Sequence, residues 1–326
     1  MTGLIQLPAN QPAARFYRGG ARIASFRGVT PGVGFEPEDW VGSATTLAGD
    51  DVIGLTTLPD GTLLRDAIAA DPVAWLGPEH VGRYGADPML LVKLLDAGQR
   101  LPVHAHPDAG FAGHHLGRAH GKAEAWYIVD GGTVYLGLRE PVSVDELAGL
   151  VAEQRTDELL TLLHEIPVSP GEVVYVPPGM LHAIGPGIFL VELQEPEDLS
   201  ILLEWRGFAI DGAQFGHLGL GFDVALDAVD RSALALDQVP ELVRPAGEGR
   251  SVLPATADPY FRLERHVVAG DERLEPGLAV LVIESGDVRA GDVTLPGGTT
   301  WLLPHAAGPL DLAGDATVLA CRPPAA

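Results

Sequence analysis

Cysteine is nearly absent: Cys321 is the only one in 326 residues. A disulfide framework and a cysteine metal cluster are therefore excluded. Long apolar runs are missing too, since none reaches the roughly 18 to 20 residues that span a bilayer. The start, MTGLIQLPANQPAARF, has no basic segment leading into an apolar one, so no secretory signal is read there. The expectation is a cytoplasmic protein with no membrane partner. Positive charge is scarce, 21 basic residues against 44 acidic, for a formal net charge of −23. Such a surface repels nucleic acid and anionic membranes. The simplest account is a solvated acidic surface that aids solubility, and an anionic substrate would need a local basic patch. Within the small basic set only Lys93 and Lys122 are lysine. An ammonium is a compact charge with a tunable pKa, whereas a guanidinium is bulky and stays protonated. Two positions thus stand apart from the chain's habit of using arginine.

What is abundant is the punctuation of a β protein. Apolar residues make up 46% of the chain, enough for a folded globular protein. The 41 glycines and 27 prolines fall between short apolar stretches, the texture of many strands joined by turns. The pattern predicts strands at 89–97, 100–106, 124–130, 133–139, 164–169, 172–177, 187–194 and 200–205. Two helical stretches interrupt them, at 61–77 and at 143–163, the second opening with Ser143 and Glu146 as a capping box. Residues 206–250 read as a connector with short helical signals, and strand-like alternation resumes from about 251. We expect two units, residues 1–235 and residues 236–326.

The stretch RLPVHAHPDAG places His104 and His106 two apart, and in a strand such residues project from one face. Alone the pair is weak, because two core histidines would look the same. Its surroundings extend it. Gly98 precedes His104 by six positions, and Glu124 is followed by Gly131. Downstream, GEVVYVPPGMLH supplies Gly171, Pro177, Gly179 and His182. Together these read G-x5-H-x-H, E-x6-G and G-x5-P-x-G-x2-H. Three imidazoles and a carboxylate suit Zn, Mn, Fe, Ni or Cu and leave positions open for water or substrate. The glycines and proline are turn residues that set where the hairpins reverse.

The two-part pattern resembles the cupin superfamily, with a long insertion between His106 and Glu124. That resemblance implies a mainly β protein of two cupin-type jelly-roll barrels with helical insertions. GGTTWLLPHAAGPL repeats the second frame with Gly298 and Pro304, but Pro309 falls where the ligand histidine belongs and His305 is out of register. The second barrel is thus expected to be degenerate, without metal ligands, in a structural or oligomerising role.

Several segments resemble type I mannose-6-phosphate isomerases in particular: LLVKLLDAGQRLPVHAHPD, HGKAEAWYIV, VPPGMLHAIGPGIFLVELQEPED and DWVGSATTL. The resemblance implies a single divalent metal, zinc foremost, on His104, His106, Glu124 and His182. It also puts both lysines on family motif positions, Lys93 as the first candidate for substrate polarisation or proton transfer. Three departures accompany it. His104 stands where the family has glutamine. Pro102 replaces a phosphate-contacting serine and has neither hydroxyl nor N–H to offer. Leu202 falls on a catalytic arginine position, leaving nearby Arg206 as the stand-in and Glu204 as a further candidate. The implied activity is a metal-dependent aldose–ketose isomerase moving a proton between adjacent carbons through an enediol, on a sugar or sugar phosphate. Pro102 and the acidic surface favour an unphosphorylated or differently substituted sugar. A cupin dioxygenase with a redox metal and a non-catalytic sugar-binding or regulatory protein are the alternatives. A monomer or homodimer is expected.

Overall fold

A computed structural model describes residues 3–13, 15–32, 34–248 and 251–326. Three antiparallel sheets carry the chain. The central one runs in the order 243–245, 172–176, 124–130, 189–194, 91–96, 38–41. A second holds 201–202, 104–105, 182–184, 132–138 and 163–168. The third is C-terminal, ordered 5–7, 300–303, 279–290, 310–322, 262–274, with 293–296 paired to the edge of 279–290.

The central sheet is covered on both faces, which is why Leu91–Asp96 and Phe189–Gln194 are buried at every position. One face presents Leu95, Trp126, Ile128, Val174 and Leu190 to Val134, Leu136 and Ile184 of the second sheet. These two sheets enclose the barrel that holds the site. The other face presents Val92, Leu94, Tyr127, Val191 and Leu193 to Leu263, Val280, Leu302 and Leu319 of the third sheet. The third sheet's far face closes on its own core around Leu281, Ile283, Leu303 and Val318. The N-terminal strand Ile5–Leu7 pairs with Thr300–Leu303 in the third sheet, and Val243–Pro245 pairs with Glu172–Val176 in the central one. Arg27, on the short helix Arg22–Arg27, ties these parts together. It is ion-paired to Asp39 and donates to Leu7 O at 3.3 Å and Thr300 Oγ1 at 3.1 Å.

Local chemistry reshapes several expected elements. The single helix expected at 61–77 is two, Leu64–Ala70 and Pro72–Leu76, followed by a third at Pro78–Tyr84. Pro72 cannot continue the hydrogen-bond ladder, and the Asp71 carboxylate instead accepts from Ala74 N at 3.1 Å to start the next helix. Ser143 caps Val144–Glu153 by accepting from Glu146 N at 3.2 Å, as its position suggested. That helix ends at Gln154, which adopts a left-handed φ of 51°, and Thr156–Thr161 forms a separate turn. The strand expected at 100–106 pairs only at His104–Ala105, because Pro102 has no N–H and Val103 N donates to Glu204 instead. The connector is not unstructured. It holds helices at Gly212–Phe215, Phe222–Ala225 and Val239–Leu242 and one strand, while its last residues, 249 and 250, lie outside the described residues.

Candidate active site

His104 and His182 face each other across a strand pair, and His106 follows two residues on. Glu124 opens the central-sheet strand opposite. All four are buried, with His182 fully so. Each imidazole is fixed by its Nδ1: His104 to Pro102 O at 2.8 Å, His106 to Leu199 O at 2.6 Å and His182 to Met180 O at 2.8 Å. A backbone carbonyl only accepts, so every Nδ1 carries the proton and every neutral ring turns a bare Nε2 lone pair inward. The ligand atoms of the three rings lie within 4.8 Å of one another, the one such group among the described residues. Glu124 Oε2 is 3.1 Å from His106 Nε2, and Oε1 is 3.1 Å from His182 Nε2.

Two observations fit this set to a divalent ion. His182 Nε2 is a buried polar atom without a hydrogen-bond partner, a costly state unless a Lewis acid serves it. Ligand atoms about 2.1 Å from zinc sit about 3.0–3.4 Å from one another, which the two 3.1 Å contacts of Glu124 with His106 and His182 match. Burial, then the neighbouring cations and rings, lowers two of the imidazoles: His104 is held well below its ordinary range and His106 falls to about 3. Burial opposes ionisation of Glu124, but Lys122 and the histidines outweigh it and hold the carboxyl well below its ordinary range. The three histidines are a group able to hold one metal ion.

Next to it is a narrow cavity of about 30 Å³. Lys93 lies in its wall, 3.4 Å from both Glu38 and Glu192 and 5.0 Å above the Trp40 ring. Burial alone would lower its pKa, but Glu192 and Glu38 outweigh it and hold the amine above its ordinary range. Lys122 lies 3.0 Å from His106 Nε2 and from Glu124 Oε2, a pocket position rather than a surface one. Leu202 supplies an aliphatic patch of the same wall. The other two expected residues point elsewhere. Glu204 is buried beneath Arg100 at 2.8 and 2.5 Å and accepts from Val103 N at 2.9 Å. Arg206 is exposed and donates to Glu153 O at 3.2 Å, so it does not replace a cation at position 202. The strand ends at Leu202, Leu203 and Glu204 stay buried, and Arg206 is the first exposed residue beyond it.

Four cavity residues escape a reading of local pattern: Arg15, Tyr17, Glu38 and Glu192. Glu38 accepts from Tyr17 OH at 2.5 Å, Trp40 Nε1 at 2.7 Å and Arg15 Nε at 3.1 Å. Glu192 Oε1 has only the Lys93 ammonium at 3.4 Å, and burial raises its carboxyl above the ordinary range despite that cation. Glu192 alone had an available signal: Glu192 and Gln194 share one strand face two residues apart, the spacing of the histidine pair. Beyond the cavity, sharing Asp198 with it, lies an outer pocket of about 590 Å³ between the 44–51 loop and segments 86–88, 118–120 and 196–199.

No family model matches the sequence. A curated mannose-6-phosphate isomerase from Streptococcus mutans is 30% identical over 241 residues, 71% of this chain and 73% of that protein. The chain belongs to the mannose-6-phosphate isomerase family. Solved structures agree on the fold. A candidate mannosephosphate isomerase from Archaeoglobus fulgidus superposes with a TM-score of 0.78 at 20% identity, covering 99% of this chain and 98% of that one. A phosphomannose isomerase variant from Salmonella typhimurium gives 0.75 at 16%, covering 99% and 100%. As a mannose-6-phosphate isomerase family member this chain is mainly β with a cupin-like barrel, and among the described residues no helix is long and apolar enough to cross a membrane. Pro102 and Leu202, the positions where the sequence was expected to depart from the family, both line the cavity.

Proposed function

We propose that this protein is a zinc-dependent aldose–ketose isomerase acting on a sugar or sugar phosphate, with His104, His106, Glu124 and His182 as ligands. The observation that carries the proposal is the locked orientation of three imidazoles, each donating Nδ1–H to a backbone carbonyl, with His106 and His182 directing Nε2 at the Glu124 carboxylate beside a cavity lined by charged side chains. When bound, the ion polarises the carbonyl and adjacent hydroxyl oxygens of the sugar and stabilises charge that develops as the proton leaves carbon. Lys93, kept cationic by Glu38 and Glu192, donates a hydrogen bond to the same oxygens. Glu192, its proton affinity raised by burial, takes the proton from one carbon and returns it to the next. Leu202, Leu95 and Pro102 keep bulk water from that transfer.

The curated relative is named for mannose 6-phosphate, which supports a hexose or its phosphate. A cytoplasmic monomer or homodimer accords with the acidic, nearly cysteine-free composition. The division into units 1–235 and 236–326 is part of the proposal, with Ile5–Leu7 and Val243–Pro245 as strands exchanged across it. The test is elemental analysis of the purified protein, then NMR detection of solvent deuterium entering C1 or C2 of candidate sugars. Zinc at one equivalent with exchange is expected. No exchange with any aldose or ketose, phosphorylated or not, sinks the isomerase reading, and iron or copper with oxygen uptake replaces it by a dioxygenase.

A further inference from the structure

The N-terminal segment 15–18 crosses the mouth of the barrel as a pinned strap. Arg15 N donates to Phe35 O at 3.1 Å, Phe16 O accepts from Ala209 N at 2.8 Å, and Arg18 O accepts from Gln99 N at 2.9 Å. It runs so close to the first glycine of the metal motif that a Cβ on Gly98 would lie 2.3 Å from the Gly19 carbonyl. The strap therefore delivers Arg15 to a set position in the cavity wall.

There the guanidinium is held unevenly. Nε donates to Glu38 at 3.1 Å, a sound hydrogen bond, whereas Nη2 and Nη1 reach Asp198 at 3.4 and 3.5 Å, the outer limit of such contacts. Two further N–H groups of Arg15 have no acceptor among the described residues. Asp198 lines both the inner cavity and the outer pocket, and both side chains remain 11% exposed. Arg15 and Asp198 thus form a loose donor–acceptor pair at the neck where a ligand must pass. A hydroxyl group both accepts and donates, so it can bridge such a pair. A phosphate has only oxygens that accept and would be repelled by Asp198.

We propose that Arg15 and Asp198 form a sugar-hydroxyl recognition pair at the neck of the site, Arg15 donating to a hydroxyl oxygen whose proton goes to Asp198. This rests on the reading that the cavity takes a sugar, and its test does not depend on turnover. The probe is mannitol, a polyol without a carbonyl, titrated calorimetrically into the zinc-loaded full chain. Arg15→Lys keeps the charge but loses the planar fork, and Asp198→Asn loses the charged acceptor. Each is expected to weaken mannitol binding about 10- to 100-fold, with zinc content at the wild-type value. Because both contact one hydroxyl, the double variant should lose less than the product of the two single effects. Wild-type affinity in either single variant, effects that multiply, or no mannitol binding by the wild-type protein overturns the proposal. Should Arg15→Lys fail to fold, Asp198→Asn alone decides by the same affinity criterion. Failure of deuterium exchange alongside these losses removes the isomerase reading and leaves the recognition pair standing.

Discussion

Replacing Lys122 with methionine should tighten metal binding. The ammonium lies 3.0 Å from Glu124 Oε2 and 3.0 Å from His106 Nε2, and all three side chains are buried. In the metal-free protein Lys122 is therefore the cation that balances Glu124. Removing one partner of a buried ion pair strands the other charge, at about 3–5 kcal/mol, and methionine retains most of the stem's packing. Once a divalent ion sits on Glu124 and the histidines, the carboxylate has its counter-charge without Lys122, and the loaded protein loses little. The thermodynamic cycle assigns the difference to the metal, a gain of roughly a hundredfold to several-thousandfold in affinity. Zinc affinity is read by competition with a chromophoric chelator, and the apo-protein cost by urea unfolding under chelation. An unchanged or weaker zinc affinity, with metal-free stability equal to wild type, would refute the competition of Lys122 and metal for one carboxylate.

Other perturbations test neighbouring parts of the account. His106→Ala and His182→Ala should each abolish stoichiometric zinc, seen by elemental analysis, because each removes an inward Nε2; retained metal refutes the site. Arg27→Met leaves Asp39 buried without its partner and should cost about 3–5 kcal/mol in urea unfolding; a loss under about 1 kcal/mol would show that the pair contributes little. His266 has its pKa raised by the Glu264 hydrogen bond, against burial and with help from Glu272. Its contribution to stability is complete below the unfolded imidazole's range, near pH 6.5, and fades as pH rises through the higher folded value. His266→Gln should therefore lower the melting temperature more at pH 6 than at pH 9, and an equal loss at both contradicts the linkage.

The site was legible to different depths because different physics placed its residues. His104, His106 and His182 lie beside turn residues at short spacings, and strand period 2 puts an i, i+2 pair on one face; the structure brings these three and Glu124 together. Leu202 drew attention because it lies within a recognisable segment, and it lines the cavity. Arg15 and Glu38 were not, because they come from an irregular strap and an edge strand that have no periodic signal and meet the site only through long-range contacts. Glu204 and Arg206 drew attention by proximity to Leu202. Their true directions depend on where pairing ends, which follows from Val103 N turning to Glu204 and from Gln154 Oε1 accepting from Trp205 N and Arg206 N.

By itself, then, the sequence determined the β architecture and the grouping of metal donors. Both depend on local rules: turn residues set hairpin ends, and alternation sets faces. Proline and left-handed Gln154 also break the helices by local chemistry, though only the coordinates showed where. Tertiary structure decided which charges face the cavity and which are spent on one another. Lys93, Lys122, Arg15 and Arg100 are all cations near acidic residues in the sequence or in space. Only packing shows that the first three share the cavity while Arg100 neutralises Glu204 outside it, since a buried charge goes wherever the fold offers a partner.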